Sequence, residues 1–244
     1  MELSDLFYIL LPLVAFLYAS VGHGGASGYL ALMAIFGISV SVMKPTALIL
    51  NLFVAGVSFY YFYQSKHFKW RLFYPFAITS VPAAFLGGLI NINITLYKQI
   101  LAILLLFSIF RLLGFFGKES KSIKELKLWQ GLVIGAIIGL FSGMIGIGGG
   151  IILSPVILLF KWGKMKSTAA VSALFIWVNS AAALTGILWS GQFIIDHQTP
   201  LFLLLAVVGG LLGGYFGSMK FNNHKLSYVL AFVLAIASIK LILV

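Results

Sequence analysis

Two glycine-rich segments hold the residues best suited to chemistry in this sequence. They are Gly22-His23-Gly24-Gly25-Ala26-Ser27-Gly28 and, in the second half, Gly143-Met144-Ile145-Gly146-Ile147-Gly148-Gly149-Gly150. Each interrupts a long apolar run, so each brings bare backbone into apolar surroundings. Where a chain turns on glycine and a helix begins again, the first N–H groups of that helix lack carbonyl partners and carry the positive end of its dipole. The chemistry on offer is anion binding. Candidate donors are the backbones of Gly24, Gly25, Ala26 and Ser27 in the first segment, and of Gly148, Gly149, Gly150 and Ile151 in the second. The same glycines also allow a hairpin to turn and helices to pack closely, which is the competing reading. His23 can donate to an anion or titrate near neutral pH, or it can cap a nearby carbonyl. Ser27 can donate to a ligand or cap the returning helix. Asn51 and Asn179 lie in apolar stretches, where an uncompensated amide is costly, so both are expected to face the protein interior and meet either a ligand or another helix. Thr46 and Thr168 sit close to helix starts, where capping is the default.

Other chemistries are excluded by what is missing. There is no cysteine, which removes disulfides, thiol catalysis and cysteine-ligated metals. No acidic residue lies inside an apolar run, so carboxylate proton relays and acid-built sodium sites lose their usual residue. His23, His67, His197 and His224 are scattered, and neither a metal nor a cofactor is expected. The second glycine string lacks the Gly-Lys-Ser/Thr that completes a phosphate-binding loop, and no G-x-S-x-G elbow accompanies His23-Gly24-Gly25-Ala26. An enzyme is not expected.

The elements that must hold these residues are membrane helices. Of 244 residues, 61% are hydrophobic and only 9% charged, far from the charged quarter of a soluble domain. The formal net charge of +11 comes from sixteen Lys and Arg in loops between apolar runs, which reads as a topology signal rather than nucleic-acid binding. The fold class expected is an all-α polytopic membrane protein. Spanning helices are expected at 45–65, 72–94, 97–116, 167–190, 199–219 and 226–244. The runs 6–43 and 129–160 are broken by the glycine segments into arms too short to cross comfortably, and each is expected to dip in, turn near mid-membrane and return to the same side. Placing the loops at 64–71, 117–127, 161–166 and 220–225 in the cytoplasm puts thirteen of the sixteen basic residues inside, counting Arg111, with Lys44, Lys98 and Lys240 outside. Both termini then lie outside. The first apolar run has no basic leader or cleavage site, so no signal peptide is expected.

A repeat organises these elements. Gly22 to Leu30 resembles Gly146 to Leu153, and Met43-Lys44-Pro45-Thr46-Ala47 matches Met165-Lys166-Ser167-Thr168-Ala169. Each half, 1–116 and 129–244 about a cytoplasmic linker at 117–128, is one hairpin plus three spans. Three is odd, so the halves are oppositely oriented, an inverted repeat with a site near the midplane.

The segments GHGGASGYLALM and GIGGGIILSPVILL, together with 43–56, 67–88 and 172–186, resemble the TauE/SafE family of bacterial membrane proteins, often described as sulfite and organosulfonate exporters. The resemblance spans nearly the whole chain. It implies an inner-membrane carrier of small sulfur-containing anions, with Gly22, His23, Gly24, Gly25, Asn51, Gly146, Gly148, Gly149 and Asn179 as site residues. A small anionic substrate and the lipid bilayer are the expected partners; the oligomeric state is open. A passive anion channel and a non-transporting membrane assembly factor are the alternatives.

Overall fold

The computed structural model describes residues 3–114 and 123–219, together with 232, 234–236 and 238–242. Among the described residues the chain is helical and has no strand, as apolar surroundings demand: only a helix or a closed barrel satisfies its own backbone without water. The helices are α1 (Leu3–Ser20), α2 (Ala26–Ile35), α3 (Val40–Gln64), α4 (Trp70–Leu89), α5 (Ile94–Leu112), α6 (Leu128–Ile145), α7 (Gly150–Leu159), α8 (Met165–Trp189) and α9 (Thr199–Met219). Five of them, α3, α4, α6, α8 and α9, are long and apolar enough to cross a bilayer. The chain is a multi-pass membrane protein. Exposed Trp70 and Trp129 at helix starts and Trp189 at a helix end suit the headgroup level. The expected span 226–244 and the loops at 117–127 and 220–225 lie mostly outside the described residues.

Two expectations need correction. α3 begins at Val40 rather than at Pro45, because a proline this near a helix start removes only one backbone hydrogen bond and does not set the boundary. More important, the first arm of the second hairpin is long enough to cross: α6, of 18 residues, is one of the five helices able to do so, whereas the apolar part of α1, Leu6–Ser20, is shorter.

The first arms run that far because glycine lets them lie directly on another helix. A methyl group on Gly209, Gly213 or Gly217 of α9 would strike the carbonyls of Pro12, Phe16 and Ser20 of α1. Along α6, Gly131, Gly135, Gly139 and Gly143 meet Pro75, Phe76, Ser80 and Ala84 of α4 in the same backbone-to-backbone manner. In both pairs the numbers rise together, so α1 runs parallel to α9 and α6 parallel to α4. These columns of small residues at every fourth position bring helix backbones together in lipid, where dispersion must replace the hydrophobic effect. α3 likewise runs parallel to α9, with Val54 beside Gly210 and Tyr61 beside Gly214. α4 runs parallel to α8, with Phe76 in a cluster with Val171 and Phe175, and Ala84 in one with Ala183 and Ile187. At the centre α3 and α8 run antiparallel: Leu48 joins Ala183 and Ile187, whereas Phe62 joins Ala169 and Ala170.

Candidate functional site

After each first arm the chain turns deep and then doubles back. The turn at Gly22 abuts Ala169 near the start of α8, and the turn at Gly146 abuts Lys44 near the start of α3, so each lies well past the middle of the helix bundle. Two residues later both chains have returned to the centre. Gly24 lies against Asn51 and Ile176, and Gly148 lies against the same two side chains and Ser180. Asn51 is the twelfth of the 25 residues of α3, and Ile176 the twelfth of the 25 of α8. The two tips therefore meet halfway along the antiparallel α3–α8 pair, and both are buried.

Glycine is required here on two grounds. Gly148 and Gly149 have φ of +73° and +78°, which a Cβ disfavours. A Cβ at Gly148 would also stand 2.7 Å from Ile176 Cγ2, 2.8 Å from Asn51 Nδ2 and 2.9 Å from Ser180 Oγ. With bare backbone at the tips, α2 and α7 start here and aim their N-termini at the centre. The Ala26 N–H donates to Asn51 Oδ1 at 3.0 Å, and Asn51 Nδ2 donates to Ser180 Oγ at 3.3 Å. One side chain of the first half thus ties its own tip to a helix of the second. Gly148, Gly149, Gly150 and Ile151, by contrast, find no backbone acceptor for their N–H groups, as the opening residues of a helix must.

His23 also crosses between the halves. Its Nδ1 lies 2.9 Å from the Val21 carbonyl and its Nε2 3.2 Å from the Gly150 carbonyl, so each ring nitrogen faces an acceptor and either can carry the proton of the neutral ring. Nε2 also lies 3.0 Å from Ser154 Oγ, which donates to the Gly150 carbonyl at 3.0 Å and is in turn 2.7 Å from Ser172 Oγ. A doubly protonated ring would donate to both carbonyls. Ser27 Oγ pairs with Tyr18 OH at 2.6 Å instead of pointing into the meeting point. Near each tip stands a buried hydroxyl with no hydrogen-bond partner: Tyr29 OH against Gly25, and Ser142, whose Cβ lies against Gly149.

Asn179 is not brought to the tips: its Nδ2 donates to the Phe175 carbonyl in its own helix, and its Oδ1 is buried without a partner. The residues that meet the tips from α8 are Ser172, Ile176 and Ser180, with Phe175 beside them against Gly149. The spacing of four among the first three places them on one helix face, a signal present in the sequence once Ser180 rather than Asn179 is followed.

A cavity opens at each end of this core. One, of about 300 Å³, is bordered by Ser41, Lys44, Asn91, Tyr97, Met144 and Gln192; the other, of about 440 Å³, by Lys66, His67, Lys69, Lys164 and Lys166. Lys44 and Lys166 are the matching lysines of the two Met-Lys-x-Thr-Ala segments, one at each end. In the second cavity, partial burial and the nearby Lys166 ammonium hold His67 below the usual imidazole range. α2 to α9 contain no Asp or Glu, so none of these helices places a carboxylate between the cavities.

The chain that builds these glycine-tipped hairpins matches a known family model, that of sulfite exporter TauE/SafE, over residues 7–241. The chain belongs to the TauE/SafE family. Relatives within reach include a probable membrane transporter protein of Sinorhizobium fredii, 36% identical over 233 residues and covering 94% of each chain. A probable membrane transporter protein of Methanocaldococcus jannaschii is 26% identical, over 73% of this TauE/SafE chain and 72% of its own. One of Bacillus subtilis is 24% identical over 94% of this chain and 96% of its own. No solved structure matches.

Proposed function

We propose that this protein is a membrane transporter that exports small sulfur oxyanions or organosulfonates across the cell membrane by alternating access, with the anion held where the two glycine tips meet. The observation that carries the reading is the arrival of both tips at the middle of α3 and α8, buried, with a cavity at either end. Free N–H groups opening α7 and the orphaned hydroxyls of Tyr29 and Ser142 supply donors for an anion, and buried donors left unmade are costly. The helix directions support an inverted repeat: α1, α3 and α4 each oppose the direction of their counterparts α6, α8 and α9. With the basic loops inside, the Lys44 cavity opens outside and the Lys166 cavity opens to the cytoplasm.

The test is flux in proteoliposomes, screened with sulfite, methanesulfonate, sulfoacetate, phosphate and carboxylates. A carrier shows saturable uptake and counterflow, a channel shows neither, and an assembly factor shows no substrate-dependent flux at all. Because α2 to α9 offer no carboxylate for coupling, an imposed potential alone should drive net anion movement, each charge gaining about 2.3 kcal/mol per 100 mV. Electroneutral flux strictly dependent on a proton gradient would reject voltage-driven export.

A further inference from the structure

The cavity at the Lys44 end contains a cation with no counterpart. Lys44 lies in the first turns of α3, is only partly exposed, and makes no hydrogen bond or ion pair with any described residue. No acidic residue borders the cavity; its polar border is formed by Ser41, Asn91, Tyr97 and Gln192. Tyr97 already donates to the Ile145 carbonyl at 3.0 Å, so its hydroxyl oxygen is left to accept. Lysine elsewhere in the bundle is differently placed: Lys240 donates to the Ile35 carbonyl at 2.7 Å, and Lys166 to the Ser218 carbonyl at 3.3 Å.

Topology does not account for Lys44. Basic residues are concentrated at the opposite end of the helices, and a lysine at this end works against the positive-inside rule. Snorkelling into headgroups does not account for it either, because the side chain borders a cavity walled by α3, α5, α6 and the segments that follow α4 and α8. A partly desolvated ammonium in an acid-free enclosure lacks one thing, a negative charge. The enclosure, about 300 Å³, is at the small end of ligand pockets. Lys44 itself lies against the turn that leads into the second tip, since a Cβ on Gly146 would stand 3.0 Å from Lys44 Cγ and 3.2 Å from the Lys44 carbonyl oxygen.

We infer that this cavity is a second anion site, separate from the tips, in which Lys44 binds a small soluble sulfonate or sulfur oxyanion at the outer end of the path. Its place in that path rests on the transport reading above; the binding itself does not. The anion's oxygens take the ammonium as donor, with the amides of Asn91 and Gln192 within the same cavity border.

The test is protection of Lys44 from acetylation by acetic anhydride in the purified full-length protein in maltoside detergent, read peptide by peptide by mass spectrometry. Methanesulfonate and sulfate are the probes, with chloride at matched ionic strength and Lys98 as the internal reference. Lys44 acetylation should slow about tenfold once the probe is roughly ten times above its half-protecting concentration, with Lys98 unchanged. Lys44→Gln should weaken methanesulfonate binding by about tenfold or more, the loss of one charge-assisted hydrogen bond, and Lys44→Arg should retain it. Absence of protection in a wild-type protein that carries methanesulfonate overturns the second site and leaves the transport reading standing. Protection without flux has the reverse meaning. Equal protection by chloride overturns the oxyanion class, and protection only after anionic lipid is added assigns the cavity to a headgroup and overturns the proposal. The protection arm uses the unmutated chain, so a misfolded variant does not decide the outcome.

Discussion

Gly148→Ala separates two costs that the structure places at one residue. The first is conformational: at φ +73° an L-residue pays about 1–2 kcal/mol for its Cβ. The second is steric, because the new methyl would stand 2.7–2.9 Å from Ile176, Asn51 and Ser180 in a buried core, an overpacking of about 1–3 kcal/mol. Gly37 supplies the matched control. Its φ is +77°, yet nothing lies within 4 Å of where its Cβ would be, so Gly37→Ala carries the first cost alone. Unfolding each variant with sodium dodecyl sulfate in mixed micelles should therefore place Gly148→Ala below Gly37→Ala by about 1–3 kcal/mol. Gly148→Ala should also abolish flux that Gly37→Ala retains. Combined with Ile176→Ala, Gly148→Ala should cost less than the sum of the two single changes, because the truncation removes the nearest clash. Equal stability of the two glycine variants, with normal flux in both, would refute the tip-packing argument.

Asn51→Leu removes both the acceptor for the Ala26 N–H and the donor to Ser180, and should cost about 1–3 kcal/mol in the same unfolding assay, more than Asn179→Leu, whose amide bonds only its own helix. His67 titration, followed by NMR, should fall below the ordinary imidazole value and move up toward it in Lys166→Gln, stopping short because burial, the larger cause, remains. The sign follows: a histidine whose folded pKa is depressed takes up protons more readily when unfolded, so its contribution to stability is present above the ordinary value and is lost as pH falls through it toward the folded pKa. Cysteines placed at Ser39 and Gln64, at opposite ends of α3, should label with an impermeant thiol reagent from outside and inside the cell respectively; the reverse pattern would overturn the orientation.

Most of the architecture was legible because apolar length and charge position are one-dimensional signals. The span expected at 199–219 coincides with α9, and those at 72–94 and 167–190 differ from α4 and α8 by a few residues at their ends. Depth was not legible. How far α1 and α6 run depends on which helix each lies against, and the glycines that permit it are on the partner as often as on the arm: Gly209, Gly213 and Gly217 belong to α9. Within the site, composition favoured the two asparagines equally, yet only Asn51 reaches a tip. An amide's direction depends on its position around the helix relative to a neighbour, which no single sequence segment records. Asn179 and Ser180 are adjacent in the chain but lie about 100° apart around the helix, and it is Ser180 that faces Gly148.

The glycine columns have a consequence for what can move. Backbone lies on backbone along α1 and α9, and again along α4 and α6, so these pairs have no layer of side chains to slide over. By shared direction the helices sort into one slab of α1, α3 and α9 and another of α4, α6 and α8, and α3 packs on α8 as extensively as on α9. Each slab mixes helices from both ends of the chain. The seam between them is the α3–α8 contact, crossed by the Asn51–Ser180 hydrogen bond and by the packing of Leu48 on Ala183 and Ile187 and of Phe62 on Ala169 and Ala170. Under the alternating access proposed above, the moving parts are the interleaved slabs rather than the two sequence halves, with the tips on the line between them. By the same geometry, neither half cut from the other would keep a partner for its first arm.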